Sequence, residues 1–126
     1  MSIARIVSNA DTAEHYIQER CHVTEWWNSP DDAHSSIARI RVEPGVSTQL
    51  HRLRGTSERY VIVQGRGRMH VGDLPPGEVG PGDAVFIPAD VPQRIVNLGD
   101  DDLVFFAICT PRFVPECYED LETELA

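Results

Sequence analysis

The stretch Pro44-Gly45-Val46-Ser47-Thr48-Gln49-Leu50-His51-Arg52-Leu53-Arg54-Gly55-Thr56-Ser57-Glu58-Arg59-Tyr60-Val61-Ile62-Val63-Gln64-Gly65 decides how the chain reads. Side chains on a strand alternate between faces, so His51 and Leu53 share one face of a first strand. After the turn at Gly55-Thr56-Ser57, Glu58, Tyr60 and Ile62 share one face of a second. A hairpin of this kind brings His51 and Glu58 within reach of a common point. A second stretch, Gly82 to Asn97, places Gln93, Ile95 and Asn97 together on one face.

Outward from these stretches, turn signals recur at short intervals, as in Asn28-Ser29-Pro30-Asp31-Asp32, Gly72-Asp73, Pro75-Pro76-Gly77 and Gly99-Asp100. Between them, Ser36–Val42, Tyr60–Gln64, Arg68–Val71, Ala84–Ile87, Gln93–Asn97 and Leu103–Cys109 read as strands. Many short strands punctuated by Gly and Pro indicate an all-β sandwich or barrel. A short helix is expected over Asp11–Gln18, with Asp11 as N-cap and Glu14 at the third helical position. The run His22 to Trp27 alternates as an edge strand would, and Trp26 and Trp27 are expected in core or dimer packing.

The two stretches resemble the paired motifs of the cupin family. Gly45, His51, Glu58 and Gly65 fall on the first motif. Gly82, Pro88 and Asn97 fall on the second, with Asp90 in the place of a second Gly. The resemblance implies an all-β, cupin-type β-barrel (a double-stranded β-helix, or jelly roll) with an N-terminal extension. It would form one domain over residues 1–126, with the barrel core at about 36–110. An N-terminal strand and short helix would occupy 1–35, and an acidic segment 111–126. A homodimer is also implied, with N-terminal edge strands pairing across the interface.

Metal-binding cupins usually present three His and one Glu, and here Leu53 and Gln93 stand at two of the His positions. The resemblance leaves His51, Glu58 and Gln93 as the metal ligands. The ion would be manganese, iron, nickel or zinc, with water or a small organic ligand completing its shell. Glu58, His51 and Tyr60 are the candidate catalytic residues: Glu58 as general acid/base, His51 as pocket base, Tyr60 as proton donor. Two alternatives stay open. One is a metal-free small-molecule binder or a structural dimer, the other His51 and Glu58 as a buried polar pair. If the chain is an enzyme, the resemblance implies a metal-dependent isomerase, lyase or dioxygenase, with sugar-phosphate isomerase-like proteins among the similar small cupins, acting on a sugar-like or carboxylate ligand.

Charge and cysteines narrow the setting. The formal net charge is −9, with 11 Arg and Lys against 20 Asp and Glu. Nucleic acid and anionic membrane surfaces call for a positive field, so neither is an expected partner. The runs Asp100–Asp102 and Glu116–Glu124 read as solvated faces. Cys21, Cys109 and Cys117 show no paired spacing, which fits free thiols in a reducing cytoplasm. No signal peptide is expected from Met1-Ser2-Ile3-Ala4-Arg5. His15, His22, His34 and His70 read as surface residues, Arg39 and Arg41 as facing solvent or acidic neighbours, and Cys109 as a small core residue.

Overall fold

Short runs rich in valine, isoleucine and aromatics bury their alternate positions by pairing into sheets that face one another. In the computed structural model, which describes residues 4–122, such strands make up nearly all regular structure. They are β1 (Glu14–Ile17), β2 (Cys21–Trp27), β3 (Ser36–Val42), β4 (His51–Leu53), β5 (Ser57–Gln64) and β6 (Gly67–Val71). Then follow β7 (Gly77–Val79), β8 (Ala84–Ile87), β9 (Gln93–Asn97), β10 (Leu103–Thr110) and β11 (Tyr118–Asp120). One sheet has the order β1-β2-β3-β10-β5-β8, the other β11-β4-β9-β6-β7, and all pairs are antiparallel. The result is the expected all-β jelly-roll barrel. Strands β3, β8 and β9 have the bounds read from sequence, and β5, β6 and β10 extend at one end.

The core lies between the sheets. Ile40, Val42, Ile62, Ile87 and Phe105 come from the larger sheet, Met69, Val71 and Ile95 from the smaller, and all are buried. Each such side chain contributes about 1.5–3 kcal/mol on burial. Asn97, at the end of the second motif, has a structural task. Its Nδ2 donates to the Val42 and Asp101 carbonyls, both at 2.9 Å, and its Oδ1 accepts from Gly99 N at 2.9 Å. Gly65 is required twice over: φ is +87°, and a Cβ there would lie 2.8 Å from the Asp102 carbonyl oxygen.

Four expectations change. The helix over Asp11–Gln18 is absent; a 3₁₀ turn at Asn9–Asp11, capped by Ser8, leads into β1. Tyr16 and Ile17 are good strand formers, and pairing with His22 and Cys21 overrides the weak helical pattern. The run His22–Trp27 is an interior strand, since β1 covers its outer side. Trp26 is 37% exposed and packs on Phe106 at the outer face, while Trp27 donates to Asp32 at 2.8 Å. Strands β4 and β5 do not form a hairpin: they belong to opposite sheets, so His51 and Glu58 come from facing walls of the barrel.

The acidic C-terminal segment, finally, is not simply solvated. Tyr118–Asp120 pairs with β4, in the register Tyr118↔Leu53 and Asp120↔His51. Arginines opposite it explain why: Glu119 takes two hydrogen bonds from Arg52 at 2.9 Å each, and Glu122 takes two from Arg20 at 2.8 and 3.1 Å. The part of that segment at 123–126 lies outside the described residues. No helix among the described residues is long and apolar enough to cross a membrane.

Candidate functional site

The alternation in β4, β5 and β9 points His51, Glu58, Tyr60 and Gln93 to the barrel interior, where they are 2%, 7%, 2% and 1% exposed. His51 and Gln93 are register partners on adjacent strands. Glu58 and Tyr60 approach from the opposite sheet. Three of the four form a chain of hydrogen bonds. The Tyr60 hydroxyl donates to Gln93 Oε1 at 2.7 Å, and Gln93 Nε2 donates to Glu58 Oε1 at 2.8 Å. The Cys109 thiol lies 3.6 Å from Glu58 Oε2 and donates to it. Leu53 is buried against Cys109 and Cys117, an apolar wall at the position where the resemblance implies an imidazole.

His51 stands apart from that chain. Its Nδ1 is 2.7 Å from the Gln49 carbonyl oxygen, which can only accept. Nδ1 therefore carries the proton, and in the neutral ring Nε2 holds a lone pair. Burial holds the imidazole pKa below its ordinary value, which favours that neutral form. The ring stacks on Tyr118, with centroids 4.7 Å apart and planes 13° from parallel. Nε2 has no hydrogen-bond partner among the described residues; its nearest acidic oxygen is Glu19 Oε1, 3.7 Å away.

Glu19 and Tyr118 are site residues that sequence reasoning missed. Glu19 sits in the β1–β2 turn, outside both motifs, with only its place beside the left-handed Arg20 to mark it. Tyr118 hides in the acidic segment. The apolar residues Val114, Cys117 and Tyr118 interrupting that acidic run were the available signal. Burial raises the Glu19 carboxyl to about 7, against the Cys21 thiol 3.6 Å from its Oε2. Burial also raises Glu58 to about 7, while the Gln93 amide, His51 and Cys109 act in the opposite direction. Tyr60 is pushed well above the usual phenol range by burial, so its hydroxyl stays a donor.

These groups border a cavity of about 90 Å³. A buried water needs roughly 10–15 Å³ on such a measure, so one small organic molecule or several waters fit. Val23, Ile37, Ile40 and Ala107 supply apolar wall, and His51, Glu58 and Glu19 the polar part. His70, by contrast, lies off the inner face between the buried Met69 and Val71.

The donor set does not fit the divalent metal centre that the resemblance implies. Both ends of the Gln93 amide are engaged, one by Tyr60 and one by Glu58. Among the described residues, no group of three or more His, Cys, Asp or Glu is arranged to hold a metal ion. His51 and Glu58, with Glu19 Oε1 3.7 Å from His51 Nε2, are not arranged as such a group, and His51 and Glu58 without a third ligand make too small a set for a stable protein-held site.

Comparison with known proteins agrees with the barrel. The model of the cupin domain matches residues 38–109. An uncharacterized protein of Methanocaldococcus jannaschii is 36% identical over 87 residues, 69% of each chain. The oxalate-binding protein of Thermotoga maritima is 36% identical over 74 residues, 57% of this chain and 59% of that one. Among solved structures, KdgF from Halomonas sp. superposes with a TM-score of 0.76 at 15% identity, covering 88% of this chain and 96% of its own. The motif residues, the two facing sheets and the matched segment coincide: the chain belongs to the cupin family.

Proposed function

We propose that this barrel binds a small organic molecule in the cavity beside His51, with Glu58 as the proton-exchanging group, and without a bound metal ion. The observation that carries the reading is the Gln93 amide. It is held at one end by Tyr60 and at the other holds Glu58. Gln93 and Tyr60 are thereby positioning residues, fixing the carboxyl at the cavity wall. His51 Nε2 is left as an acceptor aimed into the space. A carboxyl that titrates near neutrality suits proton transfer to and from a bound ligand, the step shared by isomerases and lyases.

Oxalate, in the printed name of the Thermotoga maritima relative, does not carry over. Its two negative charges would lie against Glu19 and Glu58, with no arginine lining the cavity. The homodimer stays part of this proposal, with the free edge of β1 as its interface; a monomer mass in light scattering would count against it.

Isobutanol, a neutral probe small enough for the cavity, tests the binding reading. In histidine side-chain NMR it should move the His51 Nε2 resonance and saturate. Binding that leaves His51 unmoved, or no binding by isobutanol or by its amine and carboxylate analogues, would overturn the reading.

A further inference from the structure

The cavity wall differs from an ordinary polar pocket in what it leaves unpaired. Its donors are committed to protein partners. The Tyr60 hydroxyl donates to Gln93, and the Tyr118 hydroxyl donates to Gln49 Oε1 at 2.6 Å. The Cys21 and Cys109 thiols donate to Glu19 and Glu58. At the rim, Asn28 Nδ2 donates to the Phe113 carbonyl at 2.8 Å.

What remains on the wall accepts once the Glu19 and Glu58 carboxyls, both raised to about 7 by burial, are ionised. His51 is 2% exposed, and its Nε2 lone pair has no partner among the described residues. Glu19 Oε1 lies 3.7 Å from that nitrogen, its carboxyl flanked by Cys21 and Tyr118. Glu58 lies on the other side, and Glu25, at the outer rim, adds a third carboxyl.

No arginine lines this cavity, and the chain contains no lysine. Arg20, next to Glu19 in the β1–β2 turn, is engaged on Glu122, and Arg112 on the cavity residue Asn28, through Oδ1 at 2.9 Å. A ligand entering here meets the His51 Nε2 lone pair and the carboxyls of Glu19, Glu58 and, at the rim, Glu25, which takes a 3.3 Å bond from Asn28 Nδ2, with an apolar wall of Val23, Ile37, Ile40 and Ala107 around the rest of it. Hydrogen bonds from a charged donor to such acceptors are the strong kind, and a buried ammonium needs this company to leave water.

We infer that the ligand class of this cavity is a small aliphatic primary amine, its ammonium held between His51 Nε2, Glu19 and Glu58 and its hydrocarbon against the apolar wall. The inference rests on the proposal that the cavity binds a small organic molecule and specifies its charge.

Three probes of one carbon skeleton test it by calorimetry on the full chain at about pH 8, above the titration of Glu19 and Glu58: isobutylammonium, isobutanol and isobutyrate. The expected order of affinity places the ammonium roughly tenfold or more ahead of the alcohol, and the carboxylate last. Glu19→Gln should bring the ammonium and the alcohol to about equal affinity in the variant, whose cooperative thermal unfolding reports separately that it is folded. Isobutyrate binding as tightly as isobutylammonium, or an ammonium preference unmoved by Glu19→Gln, would overturn the assignment of charge alone. Failure of all three probes would overturn the small-molecule reading together with it.

Discussion

Glu58 is where burial and function meet in a single side chain. Folding moves its carboxyl out of water, so the folded state keeps its proton up to about pH 7, while an ordinary Glu releases it near 4.5. Between those values the folded chain binds more protons than the unfolded one. Stability contributed at this site therefore falls as pH rises through the window, and the full penalty stands above pH 7. Glu58→Gln keeps an acceptor for Gln93 Nε2 but cannot ionise. Relative to the parent, it should gain roughly 1–3 kcal/mol at pH 8 and nothing at pH 4. Urea unfolding at both pH values measures this, and an equal difference at the two would contradict it. His51 acts in the other sense, since its lowered pKa makes burial costly only as pH falls below its ordinary value. That contribution cancels in the comparison of variant with parent.

At the scale of elements, the motif positions were legible because they answer to local backbone geometry. Gly65 turns the chain where a side chain would strike the Asp102 carbonyl, and Asn97 pins a turn with three hydrogen bonds. Asp90, in the place of a motif Gly, shows how a departure is accommodated. It takes φ +71°, and its Oδ1 accepts from Gly55 N at 3.0 Å, tying the β8–β9 turn to the β4–β5 turn. Asp tolerates this region better than most residues because its side chain bonds locally. Asp90→Ala should lose about 1–2 kcal/mol of stability through strain and the lost bond, whereas Asp90→Gly should stay within about 1 kcal/mol of the parent. Thermal unfolding of both variants checks this; an alanine variant as stable as the parent would contradict it. Alternation along β4 and β5 was equally legible, but not the sheet each strand joins. That choice depends on distant partners, β9 and β11 for β4 and β10 for β5, which no local pattern reports.

For the whole molecule, the two ends of the chain converge on the site. The β1–β2 turn brings Glu19 to His51, and the C-terminal strand lays Tyr118 on the same ring. Arg20 joins them, with bidentate bonds to Glu122 and a bond to the Ser47 carbonyl at 2.9 Å. Part of the strong negative charge is thus internal structure. Exposed pairs of this kind contribute little energy singly, and β11 is held mainly by strand pairing and by the packing of Cys117 and Tyr118. His51, Glu58, Tyr60 and Gln93 were readable because they lie within the motifs. Glu19 and Tyr118 were not, because only the closed barrel brings them near His51.

The barrel retains the cupin frame, but its Gln93 amide is turned to support Glu58 from behind. Equilibrium dialysis of chelator-free protein against manganese, iron, nickel and zinc, with His51→Ala as the blank, tests this most directly. Bound metal below about a tenth of an ion per chain, alike for parent and variant, is the predicted result. A stoichiometric ion that disappears in both His51→Ala and Glu58→Gln would contradict it.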